Sequence, residues 1–143
     1  MTIEKGVDWG RSAPLADNGI AVHTDAEARA VITAAKRARR PIPPLGLLGG
    51  ALCRTVGGTG DADRLRSGSA TTMPVDLGVV LLDGVIHWFC AHLVARRRGW
   101  RGRFVVAMNA QYLGPYDLGP RGHPNDGRLD VTEGDALEAD WPT

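Results

Sequence analysis

From Thr24 to Arg40 the chain carries a pattern that admits one local structure, and three prolines close it. Thr24-Asp25-Ala26-Glu27 has the capping-box form, a hydroxyl at the N-cap and a carboxylate three residues on, each satisfying a backbone N–H that a first helical turn leaves without a partner. Ala28, Val31, Ile32 and Ala35 then recur at i, i+3, i+4 and i+7, which makes one apolar face, while Arg29, Lys36, Arg37, Arg39 and Arg40 fall elsewhere. The basic last turn suits the negative end of the helix dipole. Pro41, Pro43 and Pro44 end the ladder.

After this helix the signals become short and then change period. Leu45 to Leu48 reads as a buried strand end before a tight turn at Gly49-Gly50, followed by a short helix over Ala51 to Val56 and a further helical turn over Asp63 to Arg66. Gly57-Gly58-Thr59-Gly60-Asp61 is loop, because three glycines in four residues forfeit too much backbone entropy for regular structure. From Met73 the period is two, with Val75, Leu77 and Val79 set against Pro74, Asp76 and Gly78. Asp83-Gly84 supplies a two-residue hairpin turn and Val85 to Ala95 the return strand. Phe104 to Met108 and Leu129 to Thr132 read as strands, the latter entered through Asn125-Asp126-Gly127. Residues 1–19 are aperiodic and read as an irregular lead-in, with residues 20–143 as a single domain. A helical front and an antiparallel meander or sandwich behind it define an α+β class.

Composition narrows the partners. A chain of 143 residues buries roughly 68–70% of its unfolded surface and needs no disulfide or metal to fold. The formal net charge is +1, which disfavours a nucleic-acid module, yet the charges are not evenly spread. Arg96, Arg97, Arg98, Arg101 and Arg103 surround Trp100 in one connection, whereas seven acids and two arginines lie from Asp117 onward. The arginine cluster suits phosphates or an anionic membrane surface, with Trp100 at the interface, or else pairs with the acidic stretch. Cys53 and Cys90 are far apart, lack metal or redox spacing, and read as reduced thiols of a cytoplasmic protein. No apolar stretch is long enough for a signal peptide core or a membrane span.

Few residues fit conventional catalysis. On one continuous strand Cys90 and His92 share a face and His87 points away, which breaks up the only His/Cys cluster. No serine sits in a nucleophile elbow. Two glycine-rich places, Gly46 to Gly50 and Gly57 to Gly60, offer a backbone that could approach an anion closely, with Gly49, Gly50 and Arg54 as the phosphate-side candidates.

Two later segments read together are more specific. Asn109-Ala110-Gln111-Tyr112-Leu113-Gly114, then Pro120, then Pro124-Asn125-Asp126-Gly127-Arg128-Leu129-Asp130-Val131 resembles the C-terminal half of diacylglycerol-kinase-like lipid kinases, where an N-G-x-Y-F-G strand precedes a proline and a D-D-G-x-L-D-V segment. Leu45 to Gly57 is similar to a degenerate P-L-G-T-G-N-D-x-A-R-x-L-G segment of that family, with Arg54 to Gly57 on its end, and Val75-Asp76-Leu77-Gly78 resembles its I/V-D-x-G pattern. The resemblance covers residues from about 45 to 132. It implies a β-sandwich half, a lipid hydroxyl as phosphoryl acceptor, ATP, and a structural divalent metal, Mg²⁺, at Asp126 and Asp130. The family's G-G-D-G-T nucleotide loop does not occur in the sequence, and Leu48, Gly50 and Ala51 stand where the family has Thr, Asn and Asp.

The expectation is therefore a reduced lipid-kinase-like domain, inactive in isolation, that binds a lipid or phosphorylated small molecule, touches membranes peripherally, and uses ATP only if a partner chain supplies the nucleotide loop. The alternative is a non-enzymatic module that forms a homodimer through exposed sheet edges.

Overall fold

The computed structural model describes residues 10–98, 101–119 and 122–136. Within them the chain is α+β. A two-residue strand β1 (Arg11–Ser12) is followed by β2 (Ile20–Val22), α1 (Asp25–Arg37), β3 (Leu45–Leu47), α2 (Ala51–Thr55), α3 (Ala62–Leu65) and β4 (Thr71–Thr72). The second part is strands alone: β5 (Gly78–Leu82), β6 (Val85–Phe89), β7 (His92–Arg96), β8 (Gly102–Met108), β9 (Tyr112–Leu113), β10 (Tyr116–Asp117) and β11 (Asp130–Ala136).

Helix α1 forms where the capping signal lies. Thr24 Oγ1 accepts the Glu27 N–H at 3.0 Å, and the Glu27 carboxylate reaches back to the His23 N–H at 2.7 Å, one residue before the expected donor. At the other end Arg39 takes the left-handed conformation (φ 53°), with Arg40 N–H bonded to Ala35 and Arg39 N–H to Lys36. That is the Schellman arrangement, with arginine where glycine is usual. The apolar face buries Ala28, Ile32 and Ala35, and the first two join Val22, Leu52, Cys90, Ala91 and Ala110 in the central core.

Strands β2 and β3 pair in parallel, Ile20 with Leu45 through Val22 with Leu47, so α1 is the crossover of a small β-α-β unit. The sequence reading placed only β3, because three residues are too few to show a period. The lead-in also differs from its irregular expectation: β1 pairs antiparallel with β4, and the Leu15 N–H bonds the Leu65 carbonyl.

The strand-rich part is antiparallel throughout, with β7, β8 and β11 in one sheet in the order β11-β8-β7. β5 and β6 form a separate hairpin whose turn, Asp83 (φ 50°) and Gly84 (φ 77°), has the paired positive φ of a type I′ turn. Strand β5 starts later than the period-two pattern suggests, at Gly78, because Met73, Val75 and Leu77 line a cleft and the Asp76 N–H bonds the Pro124 carbonyl instead of a strand partner. The expected single return strand is two, broken at Cys90-Ala91, where the Ala91 carbonyl accepts from both Asn109 and Ala110. The argument that placed His87 and Cys90 by strand alternation does not carry across that break. No helix among the described residues is long and apolar enough to cross a membrane.

Candidate functional site

The segments that carry the lipid-kinase resemblance, far apart in sequence, meet around α2. Thr55 Oγ1 takes the Gln111 N–H at 3.0 Å and gives its own hydrogen to the Ala51 carbonyl at 2.8 Å. Beside it Arg54 lies over the Tyr112 ring, 3.9 Å from the centroid, and donates to the Gly114 carbonyl at 3.4 Å. The guanidinium thus clasps the β9–β10 turn, a cation–π contact of about 0.5–1 kcal/mol at an exposed position. Asn109, only 1% exposed, donates from Nδ2 to the Asp76 carbonyl at 2.9 Å and the Cys90 carbonyl at 3.0 Å. Asp76 in turn accepts the Gly127 N–H on its carboxylate at 2.7 Å and gives its N–H to the Pro124 carbonyl, also at 2.7 Å. One network therefore joins Val75-Asp76-Leu77-Gly78, the Asn109 to Gly114 segment and the Asn125-Asp126-Gly127 turn.

Gly49 and Gly50 stand at the start of α2, and an anion is already there. The Asp25 carboxylate from α1 accepts the Ala51 N–H at 2.7 Å and the Leu52 N–H at 3.2 Å. Gly50 has φ 94°, which favours glycine, and Gly49 passes so close to the His23 carbonyl that a Cβ would overlap it. The expected phosphate place is thus filled by the protein's own carboxylate, which ties the two helices together. In the sequence Asp25 stands only inside the capping-box run Thr24 to Glu27, and nothing local signals its second role.

Asp25 also sets the electrostatics nearby. Burial, helped by Asp25, pushes the Cys90 thiol up to about 11 and raises that of Cys53. Burial lowers the pKa of His92 against an opposing pull from Asp25, and His92 Nδ1 is buried without a hydrogen-bond partner among the described residues. Both cysteines are free and buried, so these groups are inert at neutral pH.

The acids expected at a metal are placed apart in role. Asp126 Oδ1 accepts the Arg128 N–H at 2.9 Å, closing an Asx turn, and Asp130 Oδ2 lies where a Cβ at Gly119 or Gly122 would come within 3.4–3.7 Å of it. Among the described residues no three His, Cys, Asp or Glu side chains gather as a metal-holding group. Of the two carboxylates the resemblance assigns to a divalent metal, Asp126 is thus already engaged with a backbone N–H.

The arginines at Arg96, Arg97, Arg98, Arg101 and Arg103 all lie exposed at the β7–β8 connection, and Trp100 lies outside the described residues. Arg103 approaches Glu133 of β11 at 3.6 Å with both side chains largely in water. That exposed pair is worth about 0–1 kcal/mol, so the acidic strand only partly offsets the cluster.

Among the described residues a concave site has the size for a ligand. A cleft of about 800 Å³ opens between the β-α-β unit and residues 70–77. Its deep wall is apolar, with buried Ile32, Leu52 and Cys90 backed by Leu47, Val75 and Leu77. Its exposed members include Arg11, Arg64 and the Gly57 to Gly60 loop. Arg64 is steadied by Nε donating to the Ser69 carbonyl at 3.3 Å, and Asp61 caps α3 through the N–H groups of Asp63 and Arg64. The sequence had marked the Gly57 to Gly60 loop for its backbone, but not the cleft beside it.

Comparison with protein-family models, with curated proteins and with solved structures finds no match to this chain.

Proposed function

We propose that this chain is a reduced lipid-kinase-like domain that holds a single-chain anionic amphiphile in the cleft and, by itself, does not transfer phosphate. The observation that carries the reading is the cleft's polarity, a space of about 800 Å³ whose buried lining is apolar and whose exposed lining includes two arginines and a glycine loop. Volumes of 300–1,000 Å³ are those of small-molecule sites. An alkyl chain gains about 0.8 kcal/mol per buried CH₂, and Arg11 and Arg64 offer planar donors to a phosphate or carboxylate head. The convergence of Arg54, Asp76, Asn109 and Asn125-Asp126-Gly127 supports the kinase-like ancestry, and the sequence has no G-G-D-G-T loop to position a nucleotide. Peripheral membrane contact through the Arg96 to Arg103 connection belongs to the same reading, since each basic residue near an anionic leaflet contributes about 1 kcal/mol.

Calorimetric titration with oleoyl lysophosphatidate tests it, with inorganic phosphate and monooleoylglycerol as separate arms. The expected order is lysophosphatidate over monooleoylglycerol over phosphate, with at least a tenfold loss for lysophosphatidate in the Arg11→Gln/Arg64→Gln variant. Equal binding by the variant, or none by the unaltered chain, overturns the cleft assignment. Turnover of ATP and diacylglycerol by the isolated chain, abolished in Asp126→Ala, overturns the non-catalytic half.

A further inference from the structure

The β5–β6 hairpin presents an unusual surface. Val79 is 58% exposed, Leu81 66%, and Leu82, Val85 and Ile86 each 47–48%. By the register, Val79 and Leu81 share a face with Trp88 and Ile86, whereas Leu82 and Val85 lie on the opposite one, so apolar side chains reach water on both faces. Among the described residues β5 pairs with β6 alone, which leaves its other edge open. That edge reads Gly-Val-Val-Leu-Leu, with no lysine, proline, bulge or inward charge of the kind that keeps free edges from pairing.

The geometry points to a second copy of this chain as the occupant, docked by antiparallel pairing of β5 with β5 about a twofold axis at Val80. In that register Gly78 faces Leu82 of the other copy and Val79 faces Leu81, so every cross-strand contact is apolar. The two Asp83 carboxylates then lie at opposite ends of the joined sheet, more than about 15 Å apart at ~3.4 Å per residue. A parallel in-register pairing would instead set them side by side, which costs like-charge repulsion. The exposed β5 side chains that the pairing covers, Val79, Leu81 and Leu82, amount to roughly 300 Å² per copy, the size of the largest apolar patch a monomer usually leaves bare. The same Asp83 argues against a bilayer as the occupant, because insertion of the hairpin would lead with a carboxylate. The pairing uses up the edge on both copies, so it closes as a dimer.

Sedimentation equilibrium on the full chain, with circular dichroism as the folding control, reads the outcome. The expected mass is twice 15.2 kDa, with association weakened at least 100-fold in Leu81→Lys, an exposed position at which the monomer keeps its fold. Under mild oxidation Val80→Cys should cross-link as a dimer, being opposite itself on the axis, whereas Leu82→Cys should not. A chain that stays at 15.2 kDa at 100 µM, a dimer indifferent to Leu81→Lys, equal cross-linking by both cysteine variants, or a monomer that binds phosphatidylglycerol vesicles through the hairpin each overturns the proposal.

Discussion

Asn109→Asp isolates the buried amide on which three segments converge. The two groups have nearly the same shape, but the nitrogen that donates to the carbonyls of Asp76 and Cys90 becomes an oxygen that can only accept. Two acceptor carbonyls fix which end of the native amide is nitrogen. The substitution removes two hydrogen bonds, each worth about 0.5–1.5 kcal/mol net, and leaves two carbonyls facing a carboxylate in a site 1% exposed. An unsatisfied buried polar group costs about 1–3 kcal/mol, so the expected loss is about 3–5 kcal/mol at neutral pH, a large share of a typical 5–15 kcal/mol domain. The loss carries a pH signature. Burial raises the pKa of the new carboxyl above its unfolded value of about 3.9, so the folded variant binds the extra proton first and the deficit relative to the unaltered chain shrinks as pH falls. Urea unfolding at pH 5, 6 and 7, followed by far-ultraviolet circular dichroism on both proteins, measures it. A deficit under about 1 kcal/mol, or one that does not change with pH, refutes the assignment of the amide as double donor.

Arg39→Gly should stabilise the chain by about 0.5–1 kcal/mol, seen as a higher Tm, because glycine takes the left-handed position of the α1 C-terminus without the Cβ penalty. Asp25→Asn keeps an acceptor at the start of α2 but removes the charge that helps raise the Cys90 thiol, so iodoacetamide should alkylate folded Cys90 faster at pH 9 than in the unaltered protein. His92 has its folded pKa lowered below 6.5, so the unfolded chain takes up the proton first; its contribution to stability is intact above 6.5 and is lost as pH falls toward the lowered value. His92→Gln should therefore flatten the decline in Tm between pH 7 and 5.

What was legible in the sequence depended on how local the cause is. The α1 cap, its proline stop and the Asp83-Gly84 turn each rest on residues within four positions of one another, and each forms where expected. Strands β1, β2 and β4 are two or three residues long and owe their existence to partners far off in sequence, Arg11 with Thr72 in β1–β4, so no periodicity marks them. The break at Cys90-Ala91 has the same origin. Nothing in Val85 to Ala95 interrupts a strand, and the interruption comes from Asn109 and Ala110 bonding the Ala91 carbonyl.

The same distinction bears on what the motif residues do. Arg54, Asp76, Asn109 and Asp126 lie at positions that carry the lipid-kinase resemblance, yet each has a structural partner: a ring and a turn carbonyl, two backbone groups, two carbonyls outside the strands, and the N–H two residues on. Their presence needs no phosphoryl transfer to account for it, because the architecture alone uses them. The cleft is different in offering a concave space of about 800 Å³ beside the core, with exposed Arg11 and Arg64 in its lining, although Arg64 also bonds the Ser69 carbonyl. A ligand function is therefore better sought in the cleft than in the residues that carry the resemblance, and variants of Arg54 or Asp126 should change stability before they change binding.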